Sequence, residues 1–136
     1  MSPKVLLIDD DSDFRAAVKS LLESHGYQVL EAASGHEGLR MAAEHKPDAI
    51  LLDVLMETAA EGYGVNYALK YGEAYREFRQ IPIFMISSIE KSPDERFPMA
   101  AEVEMIRPDR YLTKPIDPAE LLRLLDAAVG ARSAGA

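Results

Sequence analysis

Ala49-Ile50-Leu51-Leu52 is apolar at four consecutive positions and stops on Asp53. A strand with one wet face shows a polar residue at every second position, so an uninterrupted run this short belongs to a strand covered on both faces. The pattern recurs. Val5-Leu6-Leu7-Ile8 runs into Asp9, Pro82-Ile83-Phe84-Met85-Ile86 into Ser87, and the shorter Tyr111-Leu112-Thr113 into Lys114. Pro82 is tolerated because it opens its strand and owes the ladder no N–H there. A weaker strand spans Gln28 to Ala32. Buried strands separated by stretches of helical period predict an α/β domain with a parallel sheet. The expected form is a doubly wound sheet of five parallel strands in the order 2-1-3-4-5, flanked by about five helices.

The intervening stretches carry helix signals of different strength. From Asp11, apolar residues fall at Phe14, Ala17, Val18, Leu21 and Leu22 and the pattern stops at Gly26, a glycine being the common C-terminal stop. Asp11 or Ser12 is the expected cap. Ser34-Gly35-His36-Glu37 has the spacing of a capping box, opening a helix through Leu39, Ala42 and Ala43 that Pro47 closes. A polar stretch, Glu57 to Gly64, precedes a third helix bearing Val65, Ala68, Leu69 and Gly72 and ending near Arg79. Between Ile89 and Pro108, Pro93, Pro98 and Pro108 exclude one long helix, so the fourth is expected to be short or irregular. Asp117-Pro118-Ala119-Glu120 supplies a cap, a proline at the first helical position and an acid for the last helix. Leu121, Leu122, Leu124, Leu125, Ala128 and Val129 form its inner side. The domain is expected to occupy 1–130, with 131–136 a flexible tail or linker stub.

A chain of 136 residues is one domain by size. Its 15 Lys+Arg against 23 Asp+Glu leave a net charge of −8, a sign that repels nucleic acid and anionic membranes. Without cysteine there is neither a disulfide nor a thiolate metal site. The start shows no secretory leader or membrane span, and a cytoplasmic location is expected. His25, His36 and His45 share no ligand spacing and are expected to face solvent, whereas the six methionines read as core filler.

The polar residues that end the apolar runs matter most. Asp9 and Asp10, Asp53, Ser87 and Lys114 all lie at carboxyl ends of strands, and in an open parallel sheet those ends line the crevice where ligands bind. Three carboxylates gathered there disfavour full ionisation unless a cation offsets them, and hard oxygen donors suit Mg²⁺. Lys114 adds a point charge and Ser87 a hydroxyl donor, both suited to an oxyanion-rich group carried on one acid.

With Leu6-Leu7-Ile8-Asp9-Asp10-Asp11, Ile50-Leu51-Leu52-Asp53, Pro82 to Ser87 and Tyr111-Leu112-Thr113-Lys114-Pro115 in this order, the chain resembles the receiver domain of two-component response regulators over nearly its whole length. The resemblance implies a flavodoxin-like fold and a phosphoprotein in a phosphorelay. Asp53 is then the phosphoacceptor, loaded from a phosphohistidine on a sensor histidine kinase or phosphotransfer protein. Asp9, Asp10, Asp53 and the backbone carbonyl of Leu55 would hold Mg²⁺ (or Mn²⁺), Asp10 more directly than Asp9. Ser87 and Lys114 would bind the phosphoryl oxygens, and Tyr111 would turn inward as the switch is thrown. The partners implied are that phosphodonor, a downstream protein and a possible second copy in a homodimer, with no nucleic acid or membrane bound by this domain. No independent turnover substrate is expected.

Each residue also has a plainer reading. Asp9 and Asp10 can be acids favoured by a helix N-terminus, Asp53 a strand-end acid, Ser87 a turn residue, Lys114 a surface cation and Tyr111 a packing aromatic. Asp9, Asp10, Asp53, Ser87 and Lys114 together at strand ends are what the plainer readings leave unexplained. The chain departs from the family where Glu57 replaces the usual proline after Met56, where Ser88 replaces a small alanine, and where the stretches on either side of the fourth strand run a few residues long. Leu55 and Ile89 lie two residues beyond Asp53 and Ser87 and are apolar, so neither side chain can hydrogen-bond a hydrolytic water, and slow self-dephosphorylation is expected. Two rival functions are a docking module that never takes up phosphate and an aspartyl-phosphate phosphatase. The second commonly needs an acid two residues after its nucleophile, where Leu55 stands.

Overall fold

The protein is described from a computed structural model, which covers residues 2–53, 81–87 and 110–135. Five strands, β1 (Lys4–Ile8), β2 (Gln28–Ala32), β3 (Ala49–Asp53), β4 (Ile83–Ser87) and β5 (Arg110–Thr113), form one sheet in the order β2-β1-β3-β4-β5. All four pairings are parallel. Order and direction are those expected from the buried runs. The fourth strand is shifted by one residue, losing Pro82 and gaining Ser87, and the fifth begins one residue earlier, at Arg110.

Side chains alternate faces along a strand, and the core divides accordingly. Leu6, Ile8, Ile50, Leu52, Ile83 and Met85 pack on one face with Ala42 of helix α2 (Gly35–His45). Val5, Leu7, Leu51, Phe84, Ile86 and Leu112 pack on the other, under Val18 and Leu22 of α1 (Ser12–Glu23) and Leu121 and Leu125 of α3 (Pro118–Gly135). Every residue of β3 is buried. Each Leu or Ile so removed from water contributes roughly 1.5–3 kcal/mol, which is why an uninterrupted apolar run is stable in a strand covered on both faces.

The caps follow the sequence. Asp11 accepts from the N–H groups of Asp13 and Phe14, Ser34 from that of Glu37, and Asp117 from that of Ala119 at 3.1 Å. Gly26 turns the chain into β2 at a φ of +90°, a conformation that favours glycine. Gly38 lets α2 lie against the sheet, since a Cβ there would collide with Ile8 and stand 2.9 Å from its Cγ1. One expectation differs: α3 continues helical through 131–135, where a tail was expected. Gly130 weakens a helix by about 1 kcal/mol relative to alanine, but Ala131, Arg132 and Ala134 after it are good helix formers. The third helix, the 89–108 segment, Leu55, Ser88 and Ile89 lie outside the described residues.

Tyr27 ties α3 to the start of β2. Its ring is buried and its hydroxyl donates to Asp126, 99 residues away. Burial first, then that hydrogen bond and the charge of Asp126, push the phenol well above its ordinary value. The folded state therefore holds this proton more tightly than the unfolded one. The stability it confers is intact below pH ~10 and is lost as pH rises beyond it. Tyr27→Phe is expected to cost about 1 kcal/mol at neutral pH. In urea unfolding curves above pH ~10 the native chain should lose stability faster than the variant, and parallel pH curves would refute the assignment.

Candidate functional site

The register of the sheet brings the acids together. Ile8 pairs with Leu52, so Asp9, one step on, comes level with Asp53. Asp53 in turn pairs with Ile86, and Ser87 with Thr113, immediately before Lys114. These ends lie where the strand order reverses between β1 and β3, the crevice in which open α/β sheets bind ligands. Carboxylate oxygens of Asp9, Asp10 and Asp53 all lie within 4.8 Å of one another.

Environment separates the three. Asp9 is fully buried; its Oδ1 accepts from the Asp11 N–H at 2.8 Å and its Oδ2 from Lys114 Nζ at 3.1 Å. Asp53 is 4% exposed and its Oδ1 is 4.0 Å from the same ammonium. Asp10 is exposed. Lys114 thus stands between two carboxylates, nearer Asp9, with its ammonium 4.2 Å from the centre of the Phe14 ring, a cation–π contact that steadies a long side chain. The sequence offered no sign of Phe14 in this role, because an aromatic on a helical stripe reads as core. Ser87 is the last residue of β4, opposite Thr113, and Tyr111 lies on β5 opposite Met85. Of the histidines, His25 and His36 are exposed and His45 is half-buried. Beside Lys114, a groove of about 560 Å³ opens between α1 and the start of α3, lined by Phe14, Leu21, Ile116 and Leu121 among others.

The donor set fits a hard divalent cation: three carboxylates gather at one rim, and no histidine or cysteine among the described residues joins them. The cluster could bind a metal. No described helix is long and apolar enough to cross a membrane.

Fold and rim together define a doubly wound α/β domain whose working edge is an acid cluster with a lysine set against it. The chain belongs to the response regulator receiver domain family, whose model matches residues 5–126. It is 36% identical over 135 residues to the transcriptional regulatory protein PrrA of Mycobacterium tuberculosis, covering 99% of this chain and 53% of that one. The chain thus spans about half the length of the first curated relatives it matches. Among solved structures it resembles chemotaxis protein CheY4 of Vibrio cholerae, with a TM-score of 0.76, 31% identity, and coverage of 94% of this chain and 99% of that one. It also resembles the receiver domain of sensor histidine kinase PA1611 from Pseudomonas aeruginosa, solved with a magnesium ion coordinated in its active site cleft, with a TM-score of 0.80, 26% identity, and coverage of 96% and 99%.

Proposed function

We propose that this domain takes a phosphoryl group onto Asp53 from a phosphohistidine of a sensor histidine kinase or phosphotransfer protein, and that the added charge alters a face recognised by a downstream protein. The observation that carries this reading is the gathering of Asp9, Asp10 and Asp53 oxygens within 4.8 Å at one sheet edge, with Lys114 set against two of them. In the transfer, a carboxylate oxygen of Asp53 attacks phosphorus. A P–O bond forms as the P–N bond breaks, and the departing imidazole keeps the electron pair and takes up a proton. Phosphoryl transfer needs positioning and charge stabilisation more than covalent machinery, so a site with so few groups suffices.

Asp10, Asp9 and Asp53, with the backbone carbonyl of Leu55, would hold Mg²⁺ or Mn²⁺. Bound there, the cation supplies a fixed positive charge that offsets the negative charge on the phosphoryl oxygens. The magnesium in the PA1611 receiver domain supports this assignment. Asp10 is suited to the more direct role, since no donor among the described residues engages its carboxylate, whereas both oxygens of Asp9 already accept hydrogen bonds. Lys114 can follow the new charge with little movement, being 4.0 Å from Asp53. The Ser87 hydroxyl would bind another phosphoryl oxygen, Tyr111 would report the change, and β5 and α3 would present it to the partner or to a second copy. The domain turns over no substrate of its own.

The test is exposure to acetyl phosphate with and without Mg²⁺, followed by mass analysis and peptide mapping. Mg²⁺-dependent gain of one phosphoryl group at Asp53 is expected. A chain that gains none is a docking module instead, and rapid release of inorganic phosphate from small esters would indicate a phosphatase. Once the donor is removed, the phosphoryl group should persist well beyond seconds, because Leu55 and Ile89 cannot hydrogen-bond an attacking water. Loss within seconds in the isolated chain counts against that assignment.

A further inference from the structure

The geometry points to Arg15 as a positioning residue for the acid pair at the end of β1, an inference that rests on the metal-assisted reading of the site. All four polar atoms of Asp9 are engaged. Its N–H donates to Ala32 O at 3.0 Å, its side-chain oxygens accept from the Asp11 N–H and the Lys114 ammonium, and its carbonyl accepts from Arg15 Nη1. The other limb of Arg15 reaches β2, with Nε 3.2 Å from Glu31 Oε1, while Lys19 lies 3.5 Å from Glu31 Oε2. The Arg15 side chain is only 17% exposed. One planar fork therefore links α1, β2 and the main chain of the site.

That link bears on Asp10 through covalent geometry. The Asp9 carbonyl belongs to the same rigid peptide plane as the N–H and Cα of Asp10. Holding the carbonyl fixes the rotation of that plane and so the place of the Asp10 Cα from which its side chain leaves the backbone. Asp10 needs such help, because it is exposed and no described donor engages its carboxylate. β2 then holds Asp9 twice, directly through Ala32 and indirectly through the neighbouring Glu31 and the guanidinium. Lysine could not substitute, since a single ammonium lacks the fork that meets two acceptors in fixed directions. An exposed ion pair contributes little by itself. The Arg15–Glu31 pair differs in that its second limb lands on a carbonyl of the acid site. Its effect belongs in metal affinity rather than in folding.

The test compares Mn²⁺ binding to the full chain by electron paramagnetic resonance, alongside urea unfolding, for native protein, Arg15→Met, Glu31→Gln and Asp48→Ala. Methionine keeps the apolar stem and removes the fork. Asp48→Ala is the control: it breaks a hydrogen bond to the Lys4 N–H at the opposite edge of the sheet. Arg15→Met is expected to weaken Mn²⁺ binding about tenfold, with phosphorylation by acetyl phosphate approaching the native rate once Mn²⁺ saturates. Glu31→Gln keeps a neutral acceptor for Arg15 and should weaken binding about threefold; it carries the test if Arg15→Met does not fold. Asp48→Ala should bind Mn²⁺ as the native chain does. Unchanged affinity in the Arg15 and Glu31 variants overturns the proposal, as does an equal loss in Asp48→Ala. Native protein that binds no Mn²⁺ overturns the metal-assisted reading itself, and this inference with it.

Discussion

Asp53→Asn is expected to take up no phosphoryl group from acetyl phosphate in Mg²⁺, the rate falling by more than about a thousandfold, as when an enzyme loses its nucleophile. An amide oxygen is a feeble nucleophile toward phosphorus, and neither neighbour replaces it. Asp9 is fully buried with both oxygens engaged, and Asp10 lies one strand away. The same substitution should act in the opposite sense on stability. Asp53 lies within 4.8 Å of two other carboxylates and 4.0 Å from one ammonium. Neutralising it relieves the repulsion from both carboxylates, an expected gain of about 1–2 kcal/mol at the effective dielectric of a buried site. Metal-free Asp53→Asn should therefore melt higher than the native chain, while the stabilisation by added Mg²⁺ shrinks, because ligand linkage scales with affinity. Thermal unfolding in chelator and in Mg²⁺ measures both. A variant that loses phosphorylation but melts lower without metal would mean that the three acids do not strain one another.

Lys114→Met should have the second largest effect. The ammonium satisfies Oδ2 of a carboxylate with no exposure to solvent, and its side chain is 22% exposed. Removing one partner of a fully buried pair costs about 3–5 kcal/mol. Residual solvent contact at Lys114 brings the expected loss to about 2–3 kcal/mol. The loss should be sharply cation-dependent, since a divalent ion in the acid cluster replaces the missing charge. Unfolding in chelator should show the full deficit, and unfolding in millimolar Mg²⁺ a fraction of it. Phosphorylation should slow by about a hundredfold at saturating Mg²⁺, the scale for losing one preorganised charge contact to a developing oxyanion. A deficit indifferent to Mg²⁺ would mean that Lys114 acts only as a packing residue over Phe14.

What could be read in advance follows from which interactions leave a trace in sequence. A strand buried on both faces must be apolar at every position, so Ala49 to Leu52 announced itself. Helix caps draw on few residue types, so Asp11, Ser34 and Asp117 were recognisable. The convergence of Asp9, Asp10, Asp53 and Lys114 was legible because strand ends in a parallel sheet share one rim whatever their separation in the chain. Contacts between a side chain and main chain leave no such trace. Any residue supplies a carbonyl, and nothing in the sequence around Arg15 marks it out. Tyr27 and Asp126 pair across 99 residues with no periodicity to link them. Lys114 was placed at the phosphoryl oxygens by resemblance, but before any group arrives its nearer partner is Asp9, because a buried carboxylate needs a counter-charge at all times. The end of α3 was missed because Gly130 is a weak breaker beside three good formers.

If Asp53 is loaded as proposed, the complete enclosure of β3 bears on how a message would leave this molecule. With all five of its residues sealed between β1 and β4, the strand behaves as a fixed post: a dianion attached at its tip cannot be accommodated by withdrawal of the backbone that carries it. Relief has to come sideways, through looser groups along the rim, and the partly exposed Lys114 at the mouth of α3 is the first of these to feel it. Under the proposed function, rigidity at the point of loading would turn a local chemical event into displacement at a distance.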